Sequence, residues 1–310
     1  MEKKLLLSSI VPVYNTEQYL EDCLKSLVCQ EVSSSKYEII CINAGSTDNS
    51  ANILAEYRND YPNIRIINKE NEGIAIARNI GISEVRDEYF MFVDSDDFIA
   101  SHSIKEILDK ATEEKIDFVR FSYSCTDEKK HFEEEQINNI VFKKEKIDVS
   151  EAPFQVWGVM YRTDMVRKSR LQFSSKFRTR EDYIFNFLLY AYNYKAKVLV
   201  TDSPVYKYRV RKGSLSHIMD YRSEKFQRER LDNMLDYIDE CVNFITDHPD
   251  REEMTEKFIR QKMSYFAATA LLCGLRCKSI SILDIQTILK TKKVYPSSYK
   301  KCCFKEIGYY

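Results

Sequence analysis

Apolar positions along the first 125 residues follow two periods in alternation. Near-continuous apolar runs at Leu5–Val13, Tyr37–Asn43, Ile64–Asn68, Tyr89–Asp94 and Asp117–Tyr123 predict strands. Between them lie helical patterns. In Glu17–Gln30, Leu20, Cys23, Leu24, Leu27 and Val28 recur at i, i+3, i+4, i+7 and i+8. Asp48–Arg58, Ile74–Val85 and Ser103–Glu114 follow as further helices. Short apolar strands alternating with amphipathic helices imply a mostly parallel sheet covered on both faces. Right-handed crossovers then bring the strand C-terminal ends to one edge, where open α/β sheets bind ligands. Pro12–Asn15, Asn43–Ser46 and Asp94–Asp97 all leave strands on that edge, so they are expected to converge.

The pattern then changes. Residues 126–150 are rich in Lys and Glu and read as a solvated, mobile insertion. Arg180-Glu-Asp opens an apolar helix to Tyr192, Lys197–Thr201 reads as a strand, and a polar basic loop runs through Arg209, Arg211 and His217. From Tyr221 to Ile288 the pattern is helical, and Tyr265–Leu275 is apolar nearly all round, as in a buried helix.

Composition narrows the class. The chain has 310 residues, 44% apolar and 31% charged, enough for one large domain or a domain with an appendage. A net charge of −1 without a basic block argues against a nucleic-acid protein. The 9 cysteines lack zinc-site spacing, and several sit inside apolar patterns as small hydrophobes, which points to a reducing cytoplasm. The apolar run near the N-terminus is short and breaks at Pro12, so it reads as a strand and not a signal peptide. No stretch is long enough to span a bilayer.

The densest chemistry is Phe92-Val-Asp-Ser-Asp-Asp97, a strand that ends in three carboxylates. Asp94, Asp96 and Asp97 repel one another, and a hard divalent cation with oxygen ligands would resolve that repulsion. A solvated acidic turn capping the helix that begins near Ser101 is the alternative.

Several motifs in order carry a resemblance. Ile10-Val-Pro-Val-Tyr-Asn15, Ile42-Asn-Ala-Gly-Ser-Thr-Asp-Asn-Ser50, Asn71-Glu-Gly-Ile-Ala-Ile-Ala-Arg-Asn79 and Phe92–Asp97 look like the successive nucleotide-sugar motifs of family 2 glycosyltransferases. Glu181-Asp182 and Tyr208–Ser216 look like the later motifs of its bacterial surface-glycan members, so the resemblance spans roughly residues 5–217. It implies a GT-A catalytic domain over residues 1–217, with a nucleotide-sugar half at 1–125 and an acceptor half at 150–217, followed by a helical extension at 218–310. By the same resemblance Pro12, Val13 and Tyr14 pack along the nucleobase, Asn43 and Ala44 lie at its edge, and Arg78 contacts the nucleotide. Asp94, Ser95 and Asp96 lie against the donor, with Mn2+ or Mg2+ on Asp96, Asp94 on the ribose or in the metal shell, and His217 as a candidate further ligand. Arg209 and Arg211 close over the phosphates, and Asp97 either caps the next helix or shares the ion. Asp182 becomes the catalytic base of an inverting transfer, for which one carboxylate suffices. Its charge-pair alternative is a helix N-terminal carboxylate favoured by the dipole.

The pattern departs from the family at Ala44, where relatives carry an acidic residue that accepts a hydrogen bond from uracil. The expected partners are a nucleotide-sugar donor, probed first as a UDP-sugar, and a glycan or lipid-linked glycan acceptor. A cytoplasmic site, at the inner membrane face through peripheral association, and an oligomer are compatible with this. A polyprenyl-phosphate sugar transferase and a degenerate nucleotide-sugar-binding subunit are the competing readings.

Overall fold

A computed structural model describes residues 6–134, 140–149, 152–153, 155–177, 180–211, 223–277, 280–292 and 294. In its N-terminal half, strands β1 (Leu7–Val13), β2 (Tyr37–Ala44), β3 (Ile64–Lys69) and β4 (Tyr89–Phe92) alternate with helices α1 (Leu20–Val28), α2 (Ser50–Asp60) and α3 (Ile74–Glu84). These match the elements that the apolar pattern predicts. The four strands run parallel in the order β3-β2-β1-β4. Every residue of β1, β2 and β4 is buried, as expected of strands covered on both faces. In-register pairing sets Val13 beside Asn43 and Asn43 beside Asn68, so the strand exits share one edge.

Beyond β4 the sheet becomes mixed. The elements are β5 (Phe98–Ile99), α4 (Ile104–Glu114), β6 (Phe118–Asp127), β7 (Phe142–Lys146), β8 (Val159–Arg162), α5 (Thr163–Ser169), α6 (Glu181–Tyr192) and β9 (Lys197–Val210). The full order among the described residues is β3-β2-β1-β4-β8-β6-β9-β5, with β7 pairing on β9. Antiparallel β8 inserts between β4 and β6, while β6 and β9 run parallel.

Two expectations are corrected here. The Lys- and Glu-rich stretch is partly sheet, because β6 runs on to Asp127 and β7 pairs antiparallel with Lys197–Thr201. The strand that begins at Lys197 continues to Val210, well past Thr201. Pro204 has no N–H to donate, and the β6–β9 register shifts at Ser122, opposite Pro204, which lets the strand continue through it.

Apolar side chains gather on the two faces of the sheet. One cluster packs α1, α2 and α4 against it. The other packs α3, α5 and α6, and also draws in α7 (Glu224–Asp247), α8 (Glu253–Arg276) and α9 (Ile282–Thr291). The apolar stretch at 265–275 is mostly buried inside α8 as expected, apart from the half-exposed Tyr265 and Leu272 and the exposed Leu275. Among the described residues no helix is long and apolar enough to cross a membrane.

Candidate active site

The first two strand exits are tied to each other. The Asn15 N–H donates to Ser46 Oγ at 3.2 Å, and Asn15 Oδ1 accepts from the Thr47 N–H at 2.8 Å. Pro12 and Val13 are buried, so of that loop's predicted residues only Tyr14, 49% exposed, offers a side chain to a ligand. Asn43 is committed internally: its Nδ2 donates to Asn68 Oδ1 at 2.9 Å, and its Oδ1 accepts from the Ser46 N–H at 3.2 Å. Ala44 is buried at the end of β2. Gly45 follows with φ +67°, and a Cβ there would lie 3.4 Å from the backbone of Asn71 and Lys69.

The three carboxylates after β4 have separate partners. Asp94 meets Arg78 (Oδ1 to Nη2, 3.4 Å) and is the most open of the pair. Asp96 meets Arg211 (Oδ2 to Nε, 2.6 Å). Asp97 is fully buried: Oδ2 accepts from the Tyr206 hydroxyl at 2.8 Å and Oδ1 from the Arg209 N–H at 2.7 Å. The Tyr206 oxygen in turn accepts from the Asp94 N–H at 3.1 Å. Burial, then the neighbouring Asp94, push the Asp96 carboxyl up, against the pull of Arg211. Burial, then Asp96 and Asp94, push Asp97 well up, against its two donors.

Asp97 therefore does not cap the next helix. Gln30 does: its Oε1 accepts from the N–H groups of Ser103 (3.1 Å) and Ile104 (3.0 Å) at the start of α4. Asp97 instead clamps β9 to the β4 exit. The expected flexible loop at Arg209 is also corrected. Arg209 lies within β9 and is 1% exposed, ion-paired with Asp22 at 2.9 Å. Its guanidinium also donates to the carbonyls of Asp96, Glu128 and Lys130. It is the buried pin of this edge, with Tyr19 and Phe98 over its plane, so it has no free face for a diphosphate. Ser95 is likewise buried, accepting from Thr16 Oγ1 at 3.1 Å. Arg211, at the end of the described strand, stays partly exposed. His217 lies outside the described residues.

On the other face α3 brings Arg78 under the same edge. Ala75, Arg78 and Gly81 share a buried stripe, and a Cβ at Gly81 would sit 2.4 Å from Ile10, so only glycine lets α3 lie this close to β1. Arg78 is 4% exposed, sandwiched by Phe92 and Phe173, and paired to Glu181 (Nη1 to Oε1, 2.5 Å) as well as to Asp94. The arginine expected to contact the nucleotide is thus held by two carboxylates.

Glu181 and Asp182 open α6. Glu181 is buried on Arg78, while Asp182 is partly open, with Oδ1 accepting from the Tyr183 N–H at 3.0 Å. Burial pushes the Asp182 carboxyl up to about 7, opposed by Arg78 and the Tyr183 N–H and reinforced by Glu181 and Asp94. The structure thus brings Asp94, Arg78, Glu181 and Asp182 into one electrostatic neighbourhood, from three elements far apart in sequence.

A cation must be tested against these residues. Among the described residues no group of three or more His, Cys, Asp or Glu side chains is placed to hold a metal ion. Two carboxylates, Asp94 and Asp96, stand at the strand exit on partly open side chains. That number suits a hard cation that takes its other ligands from substrate phosphates and water. The donor set fits such an ion, provided Arg211 yields Asp96.

Sequence reasoning did not find the partners Asp22, Tyr206 and Gln30. Arg78 did leave a signal, since a cation at the i+3 position between Ala75 and Gly81 falls on a small-residue packing stripe.

Comparison with known proteins supports the fold and the family. The chain is 32% identical over 222 residues to the uncharacterized glycosyltransferase EpsJ of Bacillus subtilis, covering 69% of this chain and 63% of that one. It is 28% identical over 213 residues to the poly(ribitol-phosphate) beta-glucosyltransferase of Bacillus spizizenii, covering 66% of this chain and 32% of the relative. It spans between 34% and 64% of the length of the three most similar of these curated relatives. In three dimensions it resembles S. aureus TarS residues 1–349 in complex with UDP-GlcNAc, with a TM-score of 0.64 at 20% identity over 93% of this chain and 79% of that one. The mannosyltransferase PcManGT of Pyrobaculum calidifontis, in complex with GDP-Man and Mn2+, gives 0.53 at 12% identity over 94% of this chain and 80% of that one. These likenesses establish a GT-A fold. The model of glycosyl transferase family 2 matches residues 8–169, which hold the strand exits and the Asp94–Asp97 carboxylates, and the chain belongs to that family.

Proposed function

We propose that this chain is an inverting glycosyltransferase that moves a sugar from a nucleoside-diphosphate donor to a hydroxyl of a surface glycan or glycolipid. The observation that carries this reading is the pairing of Asp182 with the β4 exit: one partly open carboxylate, with its proton affinity raised to about 7, beside Asp94. A base of that strength accepts a hydroxyl proton near neutral pH. Glu181 is held by Arg78 and buried, so it is not available as a nucleophile. With Glu181 engaged and Asp94 assigned to the cation, Asp182 remains as the base for direct displacement with inversion, since double displacement needs a second carboxylate as nucleophile.

Asp94 and Asp96 are the residues that would hold Mn2+ or Mg2+, which when bound neutralises charge on the departing diphosphate. Arg211 is placed to exchange Asp96 for a phosphate oxygen. Tyr14 is placed to lie along a nucleobase. Ala44 cannot accept a hydrogen bond from the base edge and Asn43 is already engaged, so base selectivity here rests on the backbone. A UDP-sugar is the first donor to test, in keeping with the UDP-GlcNAc complex of TarS. Donors of this kind place the reaction in the cytoplasm, with lipid-linked acceptors at the inner membrane face. A thermal-shift panel of UDP-, GDP- and dTDP-sugars, with and without Mn2+, tests the reading. Stabilisation by at least one nucleotide sugar that requires the metal is expected, and no stabilisation by any would refute the donor site.

A further inference from the structure

Asp182 can serve as a base only if the first turn of α6 is held still, and the structure shows that turn gripped from two sides. Arg180, just before it, has φ +68°, the left-handed region that a non-glycine residue adopts only under constraint. Its carbonyl accepts a hydrogen bond of 3.1 Å from the hydroxyl of Tyr237 on α7. On the opposite side, the Arg78–Glu181 ion pair ties the next residue to α3. The second turn is anchored separately by Asn186, which donates to the carbonyls of Pro153 and Gln155 and accepts from the Tyr161 hydroxyl.

Tyr237 is itself fixed. It is fully buried, with its ring against Phe177, Tyr183 and Phe266, so aromatics from α8 and from the segments flanking the turn set where its hydroxyl points. Nothing in packing alone requires that hydroxyl. A phenylalanine ring would fill the same space, and the Arg180 carbonyl belongs to a solvent-exposed residue that water could reach.

We propose that Tyr237 is a positioning residue for Asp182, its hydroxyl holding the left-handed turn at Arg180 against the Arg78–Glu181 pair. The inference rests on Asp182 being the base. It makes the C-terminal helices a working part of the catalytic site, because α7 supplies the hydrogen bond and α8 buttresses the ring. A displacement of about 1 Å at a reacting group costs up to about a hundredfold in rate, so a single hydroxyl at this lever has a kinetic signature.

The test is steady-state turnover of Tyr237→Phe, with the donor that the wild-type chain hydrolyses fastest in a panel of UDP-, GDP- and dTDP-sugars. The expected result is a kcat lower by about five- to fiftyfold, a donor KM within about twofold of wild type, and a melting temperature within a few degrees. A kcat within twofold of wild type would overturn the proposal, as would kcat and KM worsening together in step with lost stability. Arg180→Gly compared with Arg180→Ala gives a second route that leaves the core untouched. Glycine relaxes the turn and should raise the melting temperature while lowering kcat below that of the alanine variant; equal kcat values overturn the proposal. Asp182→Asn separates the two readings. Full activity there removes the base and this inference together, whereas an inactive Asp182→Asn beside a fully active Tyr237→Phe removes the inference alone.

Discussion

Two acidic clusters lie at opposite ends of the same parallel strands, and they are built differently. At the C-terminal edge Asp94, Asp96 and Asp97 each have their own partner: Arg78, Arg211, and the Tyr206–Arg209 pair of donors. At the N-terminal edge Glu38 and Asp87 both approach the single hydroxyl of Ser8, at 3.0 and 2.7 Å, with Arg65 reaching only Glu38 at 3.5 Å. One hydroxyl has one proton, so only one of the two carboxylates can accept it at a time. Asp87 Oδ1 is left buried without a hydrogen bond. In the first cluster Asp96 is held by the partly exposed Arg211, while Asp94 is held by the buried Arg78. In the second, Asp87 has no ion-pair partner within reach among the described residues, and burial pushes its carboxyl up to about 6 despite its Ser8 bond. Acidity alone does not distinguish the two clusters; the number and kind of partners that reach each carboxylate do.

The comparison can be broken at four places. The largest expected effect is Asp182→Asn, which should lower kcat by about 10²–10⁴-fold with donor binding nearly unchanged, since a positioned base contributes that much. Rate assays with calorimetry of the donor check it, and unaltered turnover would dismiss the base. Next, Asp22→Ala leaves the buried Arg209 without its counter-charge and should cost about 3 kcal/mol in chemical denaturation. A loss below about 1 kcal/mol would mean the three carbonyls on Arg209 suffice without Asp22.

Third, Asp87→Asn should stabilise the protein at neutral pH. The folded carboxyl titrates at about 6, above its ordinary 3.8, so between those values the folded state holds a proton that the unfolded chain releases. Stability from this group is greatest below about pH 4 and is lost as pH rises through about 6. The asparagine variant should therefore gain on the order of 1–3 kcal/mol at pH 7 and almost nothing at pH 4, read from urea melts at both pH values. A gain that does not vary with pH would exclude the titration of Asp87 as its cause. Smallest is the pH profile of the wild-type enzyme. Because Asp182 must be ionised to accept a proton, kcat should rise about tenfold per pH unit below 7 and level off above it. A flat profile from pH 5.5 to 8 would contradict that assignment.

Much of the nucleotide-binding half was legible because its strands are buried on both faces. Most of these positions are apolar, and the polar ones have partners, as Ser9 has Tyr37 and Glu38 has Ser8, so the pattern needs no tertiary information. The elements that were missed are those whose stability comes from elsewhere. β7 reads Phe-Lys-Lys-Glu-Lys because it pairs along β9 with most of its side chains in solvent, so no alternation marks it. The second half of β9 was hidden by Pro204, which argues against a strand until the register shift opposite it is seen.

Local sequence determined that three carboxylates would follow one strand, that Asp182 would start a helix, and that both would belong to a sheet of alternating strands and helices. Those are consequences of side-chain periodicity over ten or so residues. Only the tertiary structure decided what each carboxylate does, because each partner comes from a distant segment. Asp97 is taken by residues of β9, Asp94 and Glu181 converge on Arg78, and Arg209 turns inward to Asp22. The setting of each charge is fixed by the donors and counter-charges that reach it, and over such separations that is a property of the fold.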